Sequence, residues 1–84
     1  LYAHWLDVQN IKTLKIKSSL RNSWYPYITY YNSSLHLLKV IKKESKTRYM
    51  TLETPPQARY IKISDLYTLK NVKDPLLLTP KGSR

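Results

Sequence analysis

The chain contains no cysteine. That excludes a disulfide scaffold and cysteine-ligated zinc or iron–sulfur centres. Its one glycine is Gly82, so no glycine-rich phosphate loop exists. Phenylalanine is absent while tyrosine occurs eight times. Tyrosine must therefore do much of the core's packing, with its hydroxyl reaching water or a partner. The longest aliphatic run is Leu76, Leu77 and Leu78, far short of a membrane span. No signal peptide is recognisable. Leu1 stands where a Met would open a full chain, which implies processing or a longer parent.

Acids are scarce. Asp and Glu total 5 against 15 Lys and Arg, a formal net charge of +10 on 84 residues. Asp7, Glu44, Glu53, Asp65 and Asp74 are scattered, so none forms a sequence-local acid/base pair. The two histidines, His4 and His36, stand far apart. His36 lies in an apolar run and is expected to be a satisfied, half-buried residue. An enzyme is not expected, nor a metal, a cofactor or a small-molecule substrate.

What is present is positive charge interleaved with aromatic rings. The length allows one small domain. So large a charge repels itself in a compact state and implies a polyanionic partner: nucleic acid first, an acidic membrane second, an acidic protein third. Residues 1–10 read as an N-terminal arm and 11–72 as a single α+β RNA-binding domain. Residues 73–84, with two prolines and a basic end, read as an extended tail, ordered only if something holds it.

Along the chain, Leu14 and Ile16 alternate with Lys15 and Lys17, the pattern of a half-buried strand. Asn22 or Ser23 can cap a helix starting near Trp24, with Pro26 in its first turn. Ile28, Tyr31, Leu35 and Leu38 then share one helical face. Asn32, Ser33 and Ser34 weaken that helix and divide it from a buried strand, "LHLLKVIK". "RYMTLE" and "RYIKIS" read as strands, separated by Pro55 and Pro56, which end the first. Ser64 or Asp65 can cap a short helix over residues 65–72. The expected fold class is α+β, a small sheet with helix packed on one face.

The segment "TRYMTLETPP" resembles the signature of the ribosomal S-ten family, small-subunit ribosomal protein ten. Arg48, Tyr49, Leu52, Thr54 and Pro55 fill the positions of its Arg, aromatic, short strand and proline. "LKIKSS" resembles that family's first strand, and "WYPYITYYNSSLHLLKV" its first helix and second strand. A second register is open, with Arg59 and Tyr60 as the Arg–aromatic pair. A mitochondrial large-subunit protein of the same fold is similar as well. The family's long basic hairpin loop is shortened here to "QAR", and Pro56 stands where its histidine follows the proline. The resemblance implies a ferredoxin-like domain bound to ribosomal RNA and to neighbouring ribosomal proteins.

The expected function is a structural constituent of a mitochondrial ribosome in the matrix, without a membrane span. Lys15, Lys17, Lys42, Lys43, Lys46, Arg48 and Arg59 would contact phosphates, with Tyr49 and Tyr60 as packing residues that also touch RNA. The alternative is an accessory protein-interaction subunit of an organellar membrane complex, its charge meeting acidic lipid or acidic subunits.

Overall fold

Strand-forming residues dominate wherever the chain is regular. In the computed structural model, which describes residues 3–67 and 72–82, seven strands form. They are β1 (His4–Asp7), β2 (Thr13–Lys17), β3 (Pro26–Tyr31), β4 (Leu37–Lys42), β5 (Tyr49–Glu53), β6 (Tyr60–Asp65) and β7 (Leu77–Lys81). They build two sheets, one ordered β1-β6-β3-β4 and the other β5-β2-β7. Every pairing is antiparallel.

The expected α+β arrangement, a ferredoxin-like sheet with a helix on one face, is overturned. No helix occurs among the described residues. The segment read as a helix from Trp24 is instead β3 and the hairpin into β4. Tyr27, Ile28, Thr29, Tyr30 and Tyr31 are β-branched or aromatic, the classes that pack best on a pleated surface. Pro26 opens the strand, where a missing N–H is tolerated. Asn32 then turns the chain: its Oδ1 accepts from the amides of Ser34 and His36, both at 2.9 Å. Such local side-chain bonding favours a turn over a continuing helix. His36, expected half-buried, is exposed. The short helix expected over 65–72 falls partly outside the described residues; Asp65 itself ends β6.

The core lies between the sheets. Leu14 and Ile16 of β2 and Met50 and Leu52 of β5 point inward from one side. Ile28 and Tyr30 of β3 and Ile61 and Ile63 of β6 meet them from the other, in one buried cluster with Val8, Trp24, Ala58 and Leu76. Two sheets packed this way stand about 10 Å apart, which leaves room for one interdigitated layer of side chains. Trp24 is wholly buried, and its Nε1 donates to the Ser64 carbonyl at 3.1 Å. Asp65 accepts from the Tyr25 amide at 2.7 Å, so the connection into β3 is tied to the end of β6.

β7 is held by a polar clasp. Asn22 Nδ2 donates to Ser18 Oγ at 3.0 Å and to the Asp74 carbonyl at 3.1 Å, while the Asp74 amide donates to Asn22 Oδ1 at 2.9 Å. Ser19 Oγ donates to the Asp74 carboxylate at 2.6 Å, and Arg21 pairs with it at 3.2 Å. These bonds fix the segment after residue 72, and β7 then pairs along β2. The stretch 4–7 likewise joins a sheet, as β1 against β6.

Local costs appear at buried polar atoms unpaired among the described residues, Tyr30 Oη, Thr29 Oγ1, Arg48 Nε and Thr54 Oγ1, and at a strained turn. Tyr30 is fully buried and its hydroxyl has no hydrogen-bond partner among the described residues. Burial pushes its phenol up to about 12. Because the folded value exceeds the unfolded one, the neutral phenol adds no pH-dependent penalty below about pH 10, and stability is full there. Stability falls as pH rises from there through the folded value. Tyr30→Phe should raise thermal stability by about 1 kcal/mol at neutral pH, since a buried unpaired hydroxyl is removed at nearly constant shape. It should also remove this part of the alkaline destabilisation; thermal melts at pH 7 and pH 10–12 check both. Leu35, in the β3–β4 turn, has φ 63°, a left-handed conformation that a branched side chain adopts only under strain. Leu35→Asn should stabilise by roughly 1 kcal/mol, read as a rise in the denaturant midpoint at unchanged slope.

Candidate nucleic-acid interface

The alternation that buries Leu14 and Ile16 turns Lys15 and Lys17 to the other face of β2. Register then decides what stands beside them. Lys17 is flanked by Tyr49 of β5 and Leu77 of β7; Lys15 by Thr51 and Thr79; Thr13 by Glu53 and Lys81. Direct cross-strand neighbours stand about 5 Å apart, and residues two apart on one strand about 7 Å. The outer face of the three-stranded sheet is thus a small grid with cations on adjacent rungs.

Tyr49 is its centre. The side chain is 62 % exposed, although tyrosine was expected chiefly as packing. Lys17 Nζ lies 5.7 Å from the ring centroid and the Arg48 guanidinium carbon 5.5 Å from it. Both are within cation–π range, so the ring is held between two charges. A shallow hollow of about 380 Å³ runs along this face, lined by Lys15, Lys17, Tyr49, Thr51, Leu77 and Thr79 among others. Glu53 is the one acid in the grid. Arg48 is anchored through its backbone, the Ser18 amide donating to its carbonyl at 2.7 Å.

The structure therefore gathers Lys15, Lys17 and Tyr49 on one face, with the Arg48 guanidinium reaching the Tyr49 ring while its Nε is buried. Lys42, Lys43 and Lys46 are exposed, at the end of β4 and on the loop that carries the chain across to β5. Arg59 is placed elsewhere. It precedes β6 in the four-stranded sheet, with Nε 2.9 Å from Asp7 Oδ2 and its guanidinium carbon 5.5 Å from the Tyr60 ring. Its charge is largely answered by Asp7. The two Arg-Tyr pairs of the sequence thus lie on different sheets.

Sequence reasoning passed over Thr51, Leu77, Thr79 and Lys81. A strand after Pro75 was the missing signal, and two prolines hid it. It also passed over Trp5, 54 % exposed on the outer face of the four-stranded sheet. Trp5 packs on Tyr31 at a centroid distance of 5.4 Å, with Lys62 Nζ 5.7 Å from its ring.

Among the described residues no group of three or more His, Cys, Asp or Glu could hold a metal ion. No helix there is long and apolar enough to cross a membrane. No family model, curated protein or solved structure matches the chain.

Asp7 has a displaced titration. The Gln9 amide donates to it at 2.9 Å and holds its carboxyl below the usual value, with Arg59 adding to the effect. A lowered folded value means that the contribution is present above the unfolded value and lost as pH falls through the folded one. Carboxyl NMR titration of Asp7 should show a midpoint below an ordinary aspartate. In Arg59→Ala the midpoint should rise only part of the way, because the Gln9 amide still donates.

Proposed function

We propose that the chain is a non-catalytic RNA-binding module whose contact surface is the outer face of β5, β2 and β7. The observation that carries this reading is the exposed Tyr49 ring held between Lys17 and Arg48, one rung from Lys15. Unpaired bases stack on aromatic rings irrespective of sequence, and adjacent cations neutralise the phosphates that follow. The threonines of the central rung, Thr51 and Thr79, offer hydroxyls to phosphate or ribose. The net charge of +10 draws such a polymer from a distance and makes affinity fall with salt.

Arg59 contributes little here, since it faces Asp7. Lys42, Lys43 and Lys46 extend the positive field beyond the grid rather than complete it. The finer setting, a mitochondrial ribosome with ribosomal proteins as neighbours, draws on a family whose fold this chain does not adopt. The proposal therefore stops at single-stranded RNA. In this setting the module positions and holds RNA and reads no sequence.

Titration of the protein with oligouridylate at graded salt tests it. Lys15→Ala with Lys17→Ala should reduce the slope of log affinity against log salt by about 1.4, at about 0.7 per lost phosphate contact on a single strand. Tyr49→Ala should leave that slope nearly unchanged and weaken binding about tenfold or more. An unaltered affinity in both variants would sink the proposal. An equal loss from Lys42, Lys43 and Lys46 changed to Ala would move the interface to the loop.

A further inference from the structure

The free edge of β4 is unlike the other three sheet edges. β1 has four residues. β7 contains Pro80, which has no N–H to offer. β5 runs into Pro55 and Pro56. β4 is longer than any of these, has no proline, and leaves Leu37 55 % and Val40 41 % exposed. Exposed edges are usually short, broken by proline, covered, or guarded by charge or a bulge; β4 has only the last two, Lys39 and Lys42 and a register shift at its start.

The direction of its backbone groups follows from one bond. Lys43 N–H donates to the Pro26 carbonyl at 3.0 Å. In an antiparallel pair such bonded positions recur at every second residue. Ile41, opposite Ile28, and Lys39, opposite Tyr30, therefore bond to β3. Val40 and Lys42 turn their N–H and C=O groups the other way, where no strand among the described residues pairs with them. The edge thus offers two donors and two acceptors in ladder spacing.

Its charge says what would take them. Lys39 and Lys42 lie on the strand, Lys43 and Lys46 just beyond it, and Glu44 is the one acid in the stretch. A second copy is disfavoured. Antiparallel self-pairing must set residues with outward backbone groups against each other. Centred on Ile41 it puts Lys39 opposite Lys43, and centred on Lys42 it puts Lys42 opposite itself; like charges directly opposite destabilise.

We propose that β4 accepts an extended, acidic segment of another protein as a fifth strand of its sheet. Backbone pairing with Val40 and Lys42 supplies the affinity. Acidic side chains meet Lys39 and Lys43 on one face, and apolar ones pack beside Val40 on the other. This is strand addition, in which the main chain binds and alternate side chains discriminate. It uses the other sheet from the RNA surface, so the two stand or fall separately.

A synthetic peptide alternating Val and Glu, added to the intact chain, tests the idea. Amide hydrogen exchange and fluorescence anisotropy are the readouts. The peptide should bind, weaken with salt, and slow exchange at Val40 and Lys42 by about tenfold. The same peptide N-methylated at alternate residues should not bind, since it cannot donate to the ladder. Val40→Pro should also abolish binding: it deletes an outward donor without removing a bond to β3. Equal binding of the N-methylated peptide would reduce the effect to charge and overturn the proposal. So would peptide binding with unchanged exchange at Val40 and Lys42. Protection of those amides by oligouridylate, or by self-association without peptide, would give the edge to RNA or to a second copy and overturn it as well.

Discussion

The mutual burial of two sheet faces is the constraint from which the rest of this molecule follows. Neither sheet has a second element to cover it among the described residues, so each inner face must cover the other. Leu14, Ile16, Met50 and Leu52 supply one layer and Ile28, Tyr30, Ile61 and Ile63 the other. A chain without phenylalanine fills the remaining space with Trp24 and with Tyr30. The latter leaves a hydroxyl unpaired in the process. The candidate RNA surface is the reverse side of the same alternation. A strand that buries Leu14 and Ile16 has no choice but to present Lys15 and Lys17.

The topology adds a second constraint. Five of the six connections between strands cross from one sheet to the other, and only β3 to β4 is a hairpin within a sheet. Sequence neighbours are thereby separated and distant segments joined. β7 reaches β2 because Asn22 and Asp74 clasp the chain before it. Through that clasp Leu77, Thr79 and Lys81 are set beside Lys17, Lys15 and Thr13. Such long-range pairing predominates in all-β folds and makes them slow to form. It is also why a third of the candidate interface comes from a segment that reads as a tail.

Much of the sheet was legible. β2, β5 and β6 show period-two alternation with apolar residues inward, and each was read as a strand, β2 with its lysine face outward. The helix was misread for a definite reason. Ile28, Tyr31, Leu35 and Leu38 do recur at helical spacing. In the structure they fall on the inner side of β3, its end, the turn and β4. Four apolar residues in a stretch so rich in tyrosine match more than one period, and the turn chemistry of Asn32 decides between them. β4 was read as a buried strand from its apolar composition. It is a strand, but it lies at an edge with no sheet beyond it, so its leucines stay exposed.

By itself, the sequence determined the strong positive charge, the absence of cysteine-based chemistry, the existence of four of the strands and, for β2, which side chains face outward. These depend on composition and on the two-residue period, both local properties. Only the tertiary structure decided which strands share a sheet. It set Tyr49 on the open face of one sheet with Arg48 at its ring, and Arg59 against Asp7 on the other. It also decided that β4 ends a sheet rather than fills one. Pairing partners are chosen by the burial of faces distant in sequence, and no window of neighbouring residues carries that information.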